Sequence, residues 1–428
     1  MSIKFLKINK IIKESIIGLI VVILGFDVFA DDNTIESNRV AIVVNKYLKE
    51  EIDKNLNIYL QDLKNEGYEP ILKEWDLEND PAPQTLKAYL KGLYLDEGGL
   101  QGAVFIGDLP IPIMKADKSL RSPFKMNISD GYIAERYYMD LIGVKWIVNN
   151  PEYEAYWDGF LDTLEKHDPA MLIQAIEEND LYPTPEIWTS RIMTSTLTGL
   201  FKKSEGQLVN AYLEKNHAYR TRQMVVQKQV LLYSMPKLDP AFMTISFGQI
   251  ARDMESKFVV KWPPAPEKID EFFQSLNEGS YEIFFWARHG MKTYINLGTE
   301  KLTSDILANT SVSVSTAFMF PASCWIGYYM EPAYFSGSYV FNEQFNALGM
   351  ARTLPLFVNE EVSAIYEFVD GVNLGLALKK AIEIQIPIYI KKQITLLPYI
   401  PVAASSNSRY ILGDGTLRLQ SIAIEDKE

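Results

Sequence analysis

Residues 283–290 read I-F-F-W-A-R-H-G, and residues 317–324 read A-F-M-F-P-A-S-C. Each is a hydrophobic block followed by a reactive side chain, His289 in the first and Cys324 in the second. Short continuous apolar runs of this kind predict strands buried on both faces, as in parallel sheets. The two reactive residues are 35 positions apart (324 − 289). That suits one strand–helix–strand crossover, which needs roughly 30 residues. Right-handed crossover places such strands close together in one sheet. His289 and Cys324 then emerge on the same carboxyl edge, where α/β sheets hold their ligands.

Working outward, the same pattern recurs. Arg39 to Val44 (R-V-A-I-V-V) is another buried run. Tyr47 to Glu66 carries apolar residues at helical spacing and stops at Gly67, a helix-ending signal. Pro70 to Trp75 reads as a strand, Pro83 to Asp96 as a helix, and Gly102 to Ile106 as a third strand ending in Gly107-Asp108. Strand and helix alternating in this way predict a doubly wound α/β fold with a mostly parallel sheet. A second cycle begins near Val225. Its expected strands are Val230 to Tyr233, Tyr281 to Trp286, Thr316 to Phe320 and Leu356 to Val358. Its expected helices are Phe242 to Phe258, Lys268 to Gln274, Lys301 to Leu307, Phe341 to Leu348 and Asn373 to Ile384. The reading is two tandem units, 31–222 and 223–428, joined near Thr221. An irregular aromatic and acidic insertion is expected over about 143–183.

Length agrees, since 428 residues at roughly 100–200 per domain give two or three units. Net charge is −13, from 42 Lys and Arg against 55 Asp and Glu. Such a chain is a poor partner for nucleic acid or an anionic membrane surface. Cys324 is the only Cys, which excludes an intrachain disulfide and a multi-thiolate zinc site. His167, His217 and His289 are the only imidazoles. At the N-terminus, Lys4, Lys7, Lys10 and Lys13 precede the apolar stretch Ile16 to Phe26, and Val28-Phe29-Ala30 fits a small-residue cleavage site. The expectation is a signal peptide over 1–30 and an exported, secreted or periplasmic protein. Its removal takes away four Lys, one Glu and one Asp, moving the net charge from −13 to −15.

An exported chain with one unpaired Cys invites a chemical role for it. A thiol titrates near 8.5, and its thiolate is the nucleophile. An imidazole takes the thiol proton and later protonates a leaving amine. Gly290 lacks a Cβ, so a scissile carbonyl can approach the backbone there. The N–H groups of Gly290 and Cys324 are natural oxyanion donors. The bland alternative is that Cys324 is a small buried hydrophobe. His167 and His217 lie in polar settings that suit surface roles.

A hydrophobic strand then His-Gly, followed by a hydrophobic strand then Cys, resembles the caspase-fold cysteine peptidases, which include caspases, legumains, clostripains and gingipains. Further segments resemble the gingipain branch: R-V-A-I-V-V-N-K-Y (39–47), G-A-V-F-I-G-D-L-P-I-P (102–112), S-D-G-Y-I-A-E-R-Y-Y-M-D-L-I-G-V-K-W (129–146), P-E-I-W-T-S-R-I (185–192) and R-Y-I-L-G-D-G-T-L-R-L (409–419). The resemblance implies two caspase-like subdomains with the catalytic pair in the second. It places the base on His289, the nucleophile on Cys324 and the oxyanion glycine on Gly290. It implies a secreted endopeptidase acting on peptides or proteins, with no cofactor required. Ser323, Arg288 and Gly415 depart mildly from the family pattern. Arg-specific gingipains carry an acid that orients the His, and Asp239 is the only acid in the matching window. No acid matches the Arg-reading position, and Trp286 and Trp325 flank the two catalytic residues in sequence, so the first pocket is expected to favour an uncharged or apolar residue. The alternative is a catalytically degenerate binding or scaffold protein; a transpeptidase on the same fold is a third reading. The acidic group Glu177-Glu178-Asp180 is weighed as a structural calcium seat, against a solvated face.

Overall fold

The computed structural model describes residues 37–114, 132–142, 185–233, 251–351, 360–384 and 409–420, together with the backbone of 146–150 and 154–157. The segments holding Asp239, His167, Glu177-Glu178-Asp180, Leu356 to Val358 and the N-terminal 1–30 lie outside the described residues.

Among the described residues, ten strands form one sheet. In chain order they are β1 (Arg39–Asn45), β2 (Glu69–Trp75), β3 (Gly102–Ile106), β4 (Trp188–Ile192), β5 (Gln227–Tyr233), β6 (Val259–Lys261), β7 (Tyr281–Ala287), β8 (Thr316–Ala322), β9 (Gly349–Ala351) and β10 (Ile411–Gly413). The spatial order is β6-β5-β7-β8-β9-β10-β4-β3-β1-β2. Every neighbouring pair is parallel except β9 with β10. The sheet is therefore two parallel halves running in opposite directions, meeting at one antiparallel seam. The strand that makes the seam, β10, comes from beyond residue 409 yet pairs in parallel with β4 of the first half.

Burial explains the runs read from the sequence. Val40 to Val44 and Ile283 with Phe284 are fully enclosed, because helices cover both faces of a parallel sheet. Helix α1 (Lys46–Asn65) starts where the Asn45 side chain accepts from the amides of Tyr47 and Leu48. It stops at Gly67, which adopts φ +88°. Helix α2 (Pro83–Leu95) opens with Pro at its first position, where no amide is needed. Helix α3 (Glu205–Arg220) opens with a capping box between Ser204 and Gln207. It lies along α1, where His217 Nδ1 stands 2.7 Å from Asp62 Oδ2. His217 thus joins two helices of the first half.

Trp188 of β4 is the centre of that half. A Cβ on Gly415 would stand 2.7 Å from its ring, and one on Gly102 or Gly375 would stand closer still. Three segments bring glycine to this one indole because no larger residue leaves it room. Gly415 thus has a steric reason to be small.

Two expected helices are corrected. Lys301 to Leu307 divides: Lys301–Thr303 is a strand, paired antiparallel with Tyr294–Asn296, and the helix is Ser304–Asn309. Thr303 ends the strand and caps the helix, accepting from Ile306 N at 3.3 Å. Phe341 to Leu348 is not helical; the helix there is Phe335–Val340. Asn342 accepts from Gln344 N at 2.9 Å, the local side-chain bond that competes with helix continuation. Among the described residues, β9 adds a short strand just before the segment in which Leu356 to Val358 was expected.

Candidate active site

β7 and β8 pair in register, with Phe285 opposite Phe320 and Ala287 opposite Ala322. His289 lies two residues beyond Ala287, and Cys324 two residues beyond Ala322. The pair therefore leaves the sheet at matched positions of adjacent strands. The ladder persists past the strand ends, since Arg288 N donates to Ala322 O at 3.3 Å. His289 is exposed and Cys324 half-buried.

Beyond His289 the chain enters a tight hairpin, Gly290–Met291 paired with Tyr294–Asn296. Asn296 N donates to His289 O at 2.9 Å. In an antiparallel ladder this makes Gly290 and Ile295 a non-hydrogen-bonded pair, so the Gly290 amide points away from the hairpin. Gly290 is packed against the backbone of Cys324. A Cβ there would stand 2.9 Å from Cys324 O and 2.6 Å from Ile326 Cγ2.

Beyond Cys324 the chain turns sharply. Trp325 adopts φ +57°, a left-handed conformation that is costly for a bulky residue. Tyr328 N then closes a turn onto Trp325 O at 3.1 Å, and the two rings meet edge-on at 5.9 Å. Lys292, in the His hairpin, reaches this loop. Its ammonium lies 2.9 Å from Glu331 and 4.3 Å from the Tyr328 ring centroid. Phe335 N also donates to Lys292 O at 2.8 Å. The His hairpin and the Cys loop are thereby stapled together.

Nearby residues sort by face. Trp286 is fully buried, stacked on Phe272 at 5.1 Å and Phe284 at 5.5 Å. It belongs to the core and is not a pocket wall. Trp325 is half-buried beside Cys324. Arg288 turns toward Pro266, donating to its carbonyl at 3.0 Å, and burial pulls its pKa down. Asp253 accepts from Tyr366 at 2.8 Å. Among the described residues no group of three or more His, Cys, Asp and Glu is arranged to hold a metal ion.

Sequence reasoning missed the residues that hold the loop after Cys324. Gly327 O accepts from Tyr410, and Tyr329 donates to Glu135. Tyr329 O accepts from Thr196 at 2.9 Å, and Tyr334 donates to Met193 O at 2.6 Å. Glu135, Arg191 and Tyr410 do lie inside the segments 129–146, 185–192 and 409–419, which is the one signal that pointed to them.

A further cavity, of about 360 Å³, opens at the carboxyl ends of β1 and β3. Glu51, Glu78, Asp108 and Glu205 line it. Burial, with Asp108 and Glu51 nearby, raises the Glu205 pKa to about 7.

Two opposed parallel halves in one mostly parallel sheet, flanked by helices, make a gingipain-like caspase fold. The chain shares this fold with the Arg-specific cysteine proteinase gingipain R, at 12% sequence identity and a TM-score of 0.59, over 92% of this chain and 81% of that one. It also shares it with a structure described simply as a protease, at 14% identity and a TM-score of 0.57, over 89% and 78%. No protein-family model matches the chain, and no curated protein matches it in sequence.

Proposed function

We propose that the chain is an exported cysteine endopeptidase. The fold it shares with a cysteine proteinase supports a peptidase. The observation that carries the finer reading is the matched placement of His289 and Cys324 past Ala287 and Ala322.

The chemistry follows from that placement. His289 takes the proton from the Cys324 thiol, and the thiolate attacks the scissile carbonyl carbon. Charge develops on the carbonyl oxygen, where the amides of Gly290 and Cys324 are the candidate donors. The carbon–nitrogen bond breaks as the imidazolium protonates the departing amine. The acyl group is left as a thioester on Cys324. A water, deprotonated by His289, then attacks it, releasing the carboxyl product and restoring the thiol. No cofactor enters. Asp239 remains the candidate orienter of His289, on the resemblance alone. Export rests on the basic and apolar N-terminal stretch.

The test is a peptide-library cleavage profile on the mature protein with Cys324→Ala and His289→Ala variants. Loss of a catalytic group typically lowers the rate by several orders of magnitude. Wild-type turnover in either folded variant overturns the mechanism. A wild-type protein that cleaves nothing, with a Cys324 that alkylates no faster than a free thiol, favours a binding protein on the same fold.

A further inference from the structure

The segment that follows Cys324 is gripped by side chains from the other half of the molecule. Tyr329, five residues past the nucleophile, is fully buried and donates its hydroxyl to Glu135. Glu135 is itself fully buried and is held by Arg191 of β4. The Arg191 guanidinium donates to Pro110 O at 2.9 Å and lies 5.4 Å from the Tyr329 ring centroid. Burial opposes the Arg191 charge, but Glu135 beside it holds the guanidinium's pKa above its ordinary value. The main chain is fixed as well. Thr196 donates to Tyr329 O at 2.9 Å and accepts from Ala333 N at 3.0 Å through its own carbonyl.

These anchors bear on Cys324 through the backbone. Between Cys324 and Tyr329 the chain contains Trp325 at φ +57°. A non-glycine residue stays in that region only when its surroundings over-determine it. Chain direction out of β8, and with it the aim of the Cys324 side chain, depends on this turn. Its far end is fixed at Tyr329.

We propose that Glu135 and Tyr329 are positioning residues for Cys324, so that the first half of the chain sets the geometry of a nucleophile carried by the second. This rests on the reading of Cys324 as the nucleophile. The buried carboxylate fixes the Tyr329 hydroxyl, Tyr329 fixes the loop, and the loop sustains the left-handed turn beside the thiol.

Tyr329→Phe tests it, because it keeps the ring and removes only the hydroxyl; Thr196→Val, which removes a surface-side anchor, is the second variant. Each is measured for kcat and KM on one peptide, and for alkylation of Cys324 by iodoacetamide, which reads this thiol alone because no other Cys is present. The expected result is at least a tenfold fall in kcat with KM within twofold, and at least a threefold change in alkylation rate, in protein that remains folded by near-ultraviolet circular dichroism. Folded Tyr329→Phe and Thr196→Val with kcat and alkylation both within twofold of wild type overturn the proposal. Cys324→Ala separates the two failures. If it is inactive while both variants match wild type, only the positioning role is lost. If it cleaves like wild type, the nucleophile itself was misassigned.

Discussion

Gly290 faces Cys324 across a gap too narrow for a methyl group: a Cβ would stand 2.9 Å from the Cys324 carbonyl oxygen. Backbone cannot yield as the end of a side chain can. Gly290→Ala therefore has to push the His hairpin away from the Cys loop. The expected outcome is a fall in kcat/KM of a hundredfold or more, since ångström-scale misplacement of reacting groups costs about that much. Stability should drop by only ~1–3 kcal/mol. Steady-state kinetics beside thermal melting check it; full activity would mean the amide at 290 does not serve the reaction.

Glu205 gives a pH dependence with a definite sign. Its folded pKa is raised to about 7 from an ordinary 4.5, by burial first and then by Asp108 and Glu51. The folded state holds the proton more tightly than the unfolded one, so stability is greatest below about 4.5 and declines as pH rises through 7. Glu205→Gln removes the titration. It should raise the melting temperature at pH 8, by an amount equivalent to at most ~3 kcal/mol, and do little at pH 4.5. An equal effect at both pH values would show that the carboxyl is already ionised at low pH.

Lys215 is buried with its ammonium among the carbonyls of Val340, Asn342, Phe345 and Ala347, at 2.8–3.1 Å. Burial draws its pKa down to about 7, with the charge of Glu343 opposing that shift. Lys215→Met keeps the stem and orphans the carbonyls. A loss of roughly 2–4 kcal/mol is expected, because unsatisfied buried acceptors retain their desolvation cost. Denaturant melts measure it directly.

Substrate choice at the residue before the cleaved bond should differ from the Arg specificity of gingipain R. A guanidinium buried without a counter-charge costs several kcal/mol. In the loop beside Cys324 the one carboxylate is Glu331, and Lys292 occupies it. Ratios of kcat/KM for Arg against Leu, Phe and Ala should stay below about a hundredfold, roughly 2.7 kcal/mol. A larger preference for Arg would place a free acid at the pocket base.

The second half was legible wherever a strand was long and wholly apolar. Tyr281–Ala287 and Thr316–Ala322 announced themselves, and their register then placed His289 and Cys324 together. The three-residue strands Gly349–Ala351 and Ile411–Gly413 carry no such signal, and their pairing spans 60 residues or more of sequence. Trp325 stands beside Cys324 in the sequence, but no local pattern reveals that it adopts a positive φ. That Glu135 and Arg191 pair was not legible, for a different reason. Charged residues are rarely buried so completely, and only the surrounding Phe105, Tyr138 and Tyr329 rings make that site.

The seam strand also governs when the molecule becomes whole. β4 is complete at Ile192, but its parallel neighbour begins at Ile411, 219 residues later (411 − 192). At a ribosome's pace of roughly 5–20 residues per second, on the order of 10–40 s separate the two. Until then β4 presents an open row of amides and carbonyls on that side, as β9 does once residue 351 has been made. The two parallel halves of the sheet cannot be joined into one ladder until this late segment slots in. The continuous ten-stranded sheet is thus closed only after both of the strands that β10 joins have been made.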